Sequence, residues 1–433
     1  MSTENHVAPH FQFETTVDIH PEQEFQLLEI PMDIPRWLDS LEVTYHVVSE
    51  ERASVDLGLA DSHHLRGWSG GARKHVLIAI NEATPGYRAG AIAPGVWKII
   101  LGAYRIPEQG CKVHLEARGT ASVACWMKGD FHSHTLHSDG VYTVTEAIDL
   151  ARGQKLDFLA ITDHNTSTHH DELHKLDDLL LIPGMELTTY HGHANLIGRV
   201  HPDIDFRCRT RADVDAAFAS AKQQGLLVSI NHPHATECKG CDWSFGLEEL
   251  NYDVIEVWNG PWRPSNQLTL EWWKEKLRQG EHIAVLGGSD VHGPHLYVHH
   301  GHPTTFVYTE SPSIEGILDA VRKGHCFISF RSDGPKLSLN CEGSMMGDTV
   351  EGASESNQKM VSLCASNLQP GDEVRLVGAP GIVWSTTSSE DSTEVLHTFP
   401  TFGQSFLYAE VWRHFAEVDD TLLAALSNPL YFR

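Results

Sequence analysis

The chain is short of positive charge. Its 433 residues carry 32 Lys+Arg against 58 Asp+Glu, a formal net charge of −26. Nucleic-acid binders present Lys and Arg to phosphates, so a chain this acidic repels a polyanion unless a local patch intervenes. Adhesion to an anionic membrane is excluded on the same ground. Long apolar runs are missing too: no stretch approaches the roughly 18 apolar residues of a membrane span. The opening MSTENHVAPHFQFETT has no basic start followed by an apolar run, so no secretory signal is expected. Cysteine is sparse. The eight (Cys111, Cys125, Cys208, Cys238, Cys241, Cys326, Cys341 and Cys364) show no framework spacing, which predicts a cytoplasmic protein with reduced thiols. Cys238 and Cys241 have redox or zinc spacing, but no second pair completes a four-cysteine site, so loop cysteines are expected.

Histidine is what the chain has in excess. Of 29, 18 lie between His132 and His302, a stretch of 171 residues, while the other 262 residues hold 11. That partition follows the predicted domains. At roughly 150 residues per domain the length suggests two or three, and a hydrophobic content of 41% is ample for buried cores. Residues 1–125 read as short alternating strands (LEVTYHVV, HVLIAIN, CKVHLEA) between SGG, TPG and APG turns, an N-terminal β-sandwich-like module. Residues 335–433 read as a C-terminal β-rich module that closes on a short helical run near TLLAALSN. In 126–334, strand-like runs alternate with helical patterns such as TVTEAIDLARGQ and NQLTLEWWKEKLRQG. Repeated βα units predict an α/β fold with a parallel sheet, and this many predict a barrel.

Ionisable side chains gather at the ends of those strands. Asp130, His132 and His134 alternate along one predicted strand and so share a face. Asp139 follows in HSDG, His164 ends ITDH, and Glu186 ends IPGME. His193 lies in YHGHANLIG, His232 ends SINHP, and Asp290 and His292 end GGSDVH. Five strand ends thus deliver imidazoles and carboxylates to one rim, a donor set that suits Zn, Mn or Fe. His137 and His234 lie near the rim and are candidates for proton transfer. His169, His170, His174, His299 and His300 fit no strand-end pattern and read as solvated or supporting. Trp243 and Trp258 fall near strand ends, where they would line an apolar substrate pocket or else cap the barrel. Arg209, in FRCRTRAD, could grip a substrate anion or be a solvated surface group; Lys239 and Arg263 are similar candidates.

The motifs DFHSHTLHSDG, ITDH, PGMELTTYHGHANLIG, INHP and GGSDVH resemble those of the PHP (polymerase and histidinol phosphatase) superfamily. VIEVWNGPW, GCDW and LSNPLY are similar to its carbaryl-hydrolase-like CehA/McbA branch. The resemblance implies a distorted seven-stranded βα barrel (PHP fold) holding two or three divalent metal ions. Their ligands would be His132, His134, Asp139, His164, Glu186, His232, Asp290 and His292, with Glu186 bridging. Some relatives place the remaining histidine where this sequence has Asn195; His193 takes that role here, with His191 as the fallback.

Three carboxylates against two or three dications leave a positive centre; a hydroxide alone would neutralise a two-ion site, and a hydroxide with a phosphate dianion a three-ion site. The expected function is therefore a metal-dependent hydrolase, a phosphoesterase using a metal-bridging hydroxide on a small, anionic phosphomonoester. His234 or His137 would protonate the leaving group. Asp130 and Asp163 would orient imidazoles through their other ring nitrogen. The alternatives are hydrolysis of a carbamate or aryl ester, and a non-catalytic metal-containing binding module.

Overall fold

The computed structural model describes residues 10–198, 204–354 and 356–433. The chain divides into two compact units. One runs up to Cys125 and includes Glu310–Gly316; the other comprises Trp126–Thr309 and Ile317–Arg433.

The first unit has eight strands: β1 (His10–Ile19), β2 (Leu27–Ile34), β3 (Leu38–Val48), β4 (Ser54–Ala60), β5 (Leu65–Gly70), β6 (His75–Ala79), β7 (Gly95–Arg105) and β8 (Cys111–Ala121). They form two four-stranded antiparallel sheets, β1-β8-β3-β6 and β2-β7-β4-β5. Strand β8 buries Cys111, Val113, Leu115 and Ala117 while the residues between them face outward. That alternation marks a sheet with one wetted face. The buried side joins Leu41, Val43, Leu57, Leu59 and Ile99 in one core.

The second unit begins with β9 (Cys125–Asp130), α1 (Val144–Gly153), β10 (Phe158–Ile161), β11 (Leu180–Thr189) and β12 (Gly192–Ile197). It continues with α2 (Arg211–Gln223), β13 (Leu227–Ile230), β14 (Val254–Asn259), α3 (Pro264–Arg278) and β15 (Ala284–Gly288). These seven strands are neighbours in sequence order. β9, β10 and β11 are parallel, as are β13, β14 and β15, but β12 runs antiparallel to both of its neighbours. Beyond the last strand, Ser133 forms a parallel bridge to Val291, with Asp290 N donating to His132 O at 2.8 Å and His134 N to Val291 O at 3.0 Å. FLAI, LVSI and VIEVWN are buried throughout, as strands covered on both faces must be. Helices α1 and α2 begin at capping boxes, Thr143 with Glu146 and Thr210 with Asp213.

Two strands, β16 (Thr304–Thr309) and β17 (Cys326–Ser329), flank α4 (Ile314–Lys323) and extend the sheet past β9. The rest of the chain is strand: β18 (Lys336–Cys341), β19 (Ser344–Met345), β20 (Thr349–Val350), β21 (Met360–Ser366) and β22 (Glu373–Gly378). Then come β23 (Gly381–Thr387), β24 (Glu394–Pro400), β25 (Phe406–Phe415), β26 (Asp420–Ser427) and β27 (Leu430–Phe432). Because β26 pairs with β17, β25, β22 and β23 continue the same large sheet, and β19-β18-β21-β24 forms a second one. Leu339, Val361, Leu363, Leu376 and Leu407 share a core. The molecule is mixed α/β but rich in sheet. TLLAALSN, expected as a helical run, lies mostly within β26: its apolar residues are continuous because Ala424–Ser427 are buried between two partner strands. Among the described residues no helix is long and apolar enough to cross a membrane.

Gly129 marks the closest approach of β9 and β10, since a Cβ there would overlap the ring and carbonyl oxygen of Phe158. Gly129→Ala is expected to destabilise the fold by about 1–3 kcal/mol. Gly153→Ala, at the end of α1 with nothing within 4 Å, should be neutral or slightly stabilising. Thermal unfolding of the two variants side by side tests this; equal midpoints would refute the close approach.

Candidate metal centre

Nine side chains from six chain segments converge at one end of β9 to β15, seven from the segments just past β9, β10, β13 and β15, Glu186 from within β11 and His193 from the start of β12. Their donor atoms fall into four overlapping groups, each within 4.8 Å: His134, Asp139, His164 and His292; His132, His134 and Asp290; His132, Glu186 and His232; and His164, Glu186 and His193. Every histidine and carboxylate singled out as a ligand in the sequence is present. His191 is not, since its ring contacts Phe245 and Ser244 Oγ instead.

The backbone explains the convergence. Strand β9 ends at Asp130, so His132 and His134 lie past the strand rather than along it, flanking the Ser133–Val291 bridge. Gly288 lets β15 approach them, because a Cβ there would overlap His132. His193 arrives from the opposite direction, at the first turn of antiparallel β12 rather than at a strand's C-terminal end. His232 (φ 27°) and Asp290 (φ 54°) sit in the left-handed region. Non-glycine residues there store strain of about 1–3 kcal/mol, which persists only where surrounding structure imposes it.

Glu186 is the hub. It is fully buried, and its oxygens lie 3.3 Å from His132 Nε2, 3.5 Å from His134 Nε2, 2.8 Å from His164 Nδ1, 3.3 Å from His193 Nδ1 and 3.4 Å from His232 Nε2. Asp290 Oδ1 is 3.3 Å from His132 Nε2 and 3.0 Å from His134 Nε2. Yet His132 Nε2, both ring nitrogens of His134, Glu186 Oε2 and Asp290 Oδ1 are buried without a hydrogen bond of acceptable geometry. Buried polar atoms are rarely orphaned. Several together, pointing at shared space, fit divalent cations.

Neighbouring groups fix which nitrogen is free. Glu256 Oε1 lies 2.8 Å from His132 Nδ1, so that nitrogen carries the proton and Nε2 presents its lone pair to the cluster. The Asp290 carbonyl does the same for His292 Nδ1 at 2.9 Å. Asn231 Nδ2 donates to Glu186 Oε1 at 2.8 Å, and Asn259 Nδ2 donates to Asp290 Oδ2 at 3.2 Å. Glu256, Asn231 and Asn259 were missed in the sequence. The signal for Glu256 was available: a carboxylate inside the otherwise apolar VIEVW.

Electrostatics follow from burial and pairing. Burial would depress the His132 pKa, but Asp290, Glu256 and Glu186 hold it well above the ordinary value. Burial likewise opposes protonation of His164 and His232, and Glu186 reverses it in both. His292 is raised to about 9, its burial outweighed by Asp139. For His134 burial wins, bringing it down to about 4. Burial would raise Glu186 and Asp290, but imidazoles led by His132 hold both well below the carboxylate range.

Several expected roles are corrected. Asp130 touches no imidazole: its carboxylate accepts from Ser289 N and Oγ, Gly301 N and His132 N, pinning three backbone segments, and burial raises it to about 6. Asp163 does face an imidazole, but that of His169 at 3.0 Å, which lies outside the four groups. His169, His170 and His300 are buried rather than solvated. His137 has both ring nitrogens engaged, by Thr168 Oγ1 at 2.8 Å and Glu172 Oε1 at 2.9 Å. His234 Nδ1 lies 3.1 Å from Thr269 Oγ1, and burial lowers its pKa, which favours the neutral imidazole. Trp243 and Trp258 are only 7% and 1% exposed, and their indole N–H groups donate to His193 O and Gly260 O. They are packing residues with no face for a substrate. Arg209 is exposed ahead of α2 and takes part in none of the cluster's hydrogen bonds or ion pairs. Cys238 and Cys241, expected as reduced loop thiols, form a disulfide, because a turn closed by Cys241 N and Cys238 O brings their Cα atoms to 5.4 Å.

No protein-family model matches the chain. It is similar to the uncharacterized protein MJ1587 of Methanocaldococcus jannaschii, 28% identical over 148 residues, covering 31% of this chain and 82% of that protein. A second protein of that organism, the uncharacterized MJ1295, is 39% identical over 74 residues, or 14% of this chain and 34% of its own length. Among solved structures, a two-domain protein from Bacteroides vulgatus containing a predicted PHP-like metal-dependent phosphoesterase aligns with a TM-score of 0.40 at 19% identity. That alignment covers 71% of this chain and 98% of that one.

Because His132, His164, His232 and His292 have raised pKa values, the metal-free cluster holds protons at neutral pH that a cation must expel. A raised pKa means stronger proton competition, so metal affinity should fall as pH drops from 8 to 6. Titration calorimetry with Mn2+ or Zn2+ in buffers of different ionisation enthalpy should show proton release. Buffer-independent heats would contradict it.

Proposed function

We propose that this protein is a metal-dependent hydrolase of the PHP superfamily that cleaves a small phosphomonoester in a distorted seven-stranded barrel. The observation that carries the reading is the sharing of Glu186 between two ligand groups. A structural ion needs one closed set of about four ligands. Overlapping sets joined by a carboxylate suit two or three ions, an arrangement used to clamp phosphoryl oxygens during in-line displacement. The strand order from β9 to β15 and the Ser133–Val291 bridge support the barrel.

His132, His134, His164, His193, His232 and His292 would hold the ions together with Asp139, Glu186 and Asp290. Divalent Mn, Fe or Zn there supplies Lewis acidity and lowers the pKa of water. The protein's own contribution is to hold the donors ready. Glu256 keeps the His132 proton on Nδ1, and Asn231 and Asn259 hold the Glu186 and Asp290 carboxylates in place. His234, neutral through burial, is the remaining candidate for accepting a proton.

A second reading, hydrolysis of a carbamate or aryl ester, is favoured by apolar side chains on the ligand-bearing loops. Leu136 and Val141 flank Asp139, Tyr190 (92% exposed) precedes His193, and Leu296 and Tyr297 follow His292; all five are exposed. They suit a substrate with an apolar portion.

Assays of 4-nitrophenyl phosphate, its diester and a 1-naphthyl carbamate, with bound metal counted, separate these readings. We expect phosphomonoester turnover, and a fall of about a thousandfold or more in His132→Ala and Asp290→Ala, with circular dichroism unchanged. Turnover of the carbamate alone would transfer the assignment to the second reading. Two or more bound ions without turnover of any substrate would indicate a binding module.

A further inference from the structure

We propose that Arg263 is the oxyanion-binding residue of this centre, gripping an anionic oxygen of the substrate, and that Glu237 is the counter-ion it releases to do so. The inference rests on the hydrolase reading above. Arg263 follows β14 in the run WNGPWR. Its Nη2 donates to Asn259 Oδ1 at 2.7 Å, and Asn259 Nδ2 in turn donates to Asp290 Oδ2 at 3.2 Å and to Glu256 Oε2 at 3.1 Å. One amide therefore separates the guanidinium from a carboxylate of the cluster. Among the described residues no other Lys or Arg is bonded to a side chain that itself contacts a cluster carboxylate.

The seat for the guanidinium is built by a glycine. Gly260 has φ +55°, and a Cβ there would lie 3.2 Å from Arg263 Nη2 and 3.4 Å from Ser289 O. The cation can therefore lie over the chain beside the residue that precedes Asp290. Its hydrogen bonding is incomplete. Arg263 Nε is buried without a partner, and Nε–H and Nη2–H share one edge of the planar guanidinium. Nη2 donates to both Asn259 Oδ1 and, at 3.3 Å, Asn259 O, so on that edge the donor with nothing to receive it is Nε–H. An oxygen of a phosphate or similar oxyanion is the acceptor such an edge recognises.

The third nitrogen, Nη1, lies 3.5 Å from Glu237 Oε1 in a pair whose side chains are 39% and 42% exposed. Exposed pairs of this kind are weak, so a tighter anion displaces the carboxylate. Glu237 also accepts a hydrogen bond from Ser265 Oγ at 2.7 Å, which keeps it in place once the cation has moved to the substrate. In a chain of net charge −26, this pair would admit an anion to the centre without leaving an uncompensated cation when the site is empty.

The test is titration calorimetry of the metal-loaded, full-length protein with inorganic phosphate, with metal content measured on each sample and KM and kcat for 4-nitrophenyl phosphate. Arg263→Gln should weaken phosphate by about tenfold or more, the loss expected for a charge-assisted hydrogen bond, and raise KM with bound metal unchanged. Arg263→Lys should recover only part of this, and Glu237→Gln should tighten phosphate. Unaltered phosphate affinity in Arg263→Gln overturns the inference. So does a loss of metal in step with the loss of phosphate, which would mean that Arg263 only orients Asn259. Arg263-dependent phosphate binding without ester turnover would sink the hydrolase reading and leave the oxyanion site standing. Absence of phosphate binding by the wild type overturns the site, whatever esters are hydrolysed.

Discussion

A single buried carboxylate sets the terms for the second unit. Glu186 has no exposure to water, and burying an unpaired ion costs several kcal/mol even after relaxation. The fold meets that cost by bringing five imidazoles within 3.5 Å of its two oxygens. The five imidazoles come from four places in the chain, so satisfying one side chain specifies where β9, β10 and β13 must end and where β12 must begin. Strained backbone at His232 and Asp290 is the local cost of meeting the same requirement, and it is tolerated because the rest of the cluster holds those residues in place.

Support is layered outward from that hub. Glu256 reaches the imidazole of His132 and the backbone N–H of His232, so one carboxylate on β14 orients two ligands that come from other strands. Asp130 ties Ser289 and Gly301 to the chain before His132. It is a brace for the loops rather than a partner for the ligands. The connection between β13 and β14 carries His232 near its start and, further along, Trp243, which packs against Gly192 and donates to His193 O. The disulfide between Cys238 and Cys241 lies inside that loop, which therefore connects two members of the cluster through covalent and packed contacts.

How much of this could be read in the sequence depended on where each residue sits. Ligands placed after short apolar runs (ITDH, SINHP, GGSDVH) were legible, because histidine and aspartate are conspicuous where a strand stops. For Glu256 the sequence offered only half a signal: a carboxylate inside an apolar strand run is conspicuous, but nothing local says that an imidazole will lie opposite. The histidine before ANLIG was legible as a ligand but not in its direction of approach. The reversal of β12 is a property of strand pairing, and residue types do not encode it. Trp243 and Trp258, read as pocket lining or barrel caps, are buried. Position near a rim says little about orientation, and a large aromatic ring gains more from burial than from waiting at a mouth. The run at 421–428 became strand because its neighbours offered two open edges, a tertiary preference that outweighs local propensity.

The reversal of β12 also divides the centre in time. Glu186 and His193 lie on one hairpin, β11 with β12, joined by a tight turn, and a hairpin of this kind forms within microseconds. Asp130 and Ser289, which bring the His132 and Asp290 ends together, are 159 positions apart in the chain. Contacts of such separation form late, after the entropy of closing a long loop has been met. In the order of synthesis the hub and the five imidazoles around it all precede Asp290. Until the Asp290 segment closes against the chain before His132, the donor set is incomplete. The complete donor set therefore exists only in the closed fold.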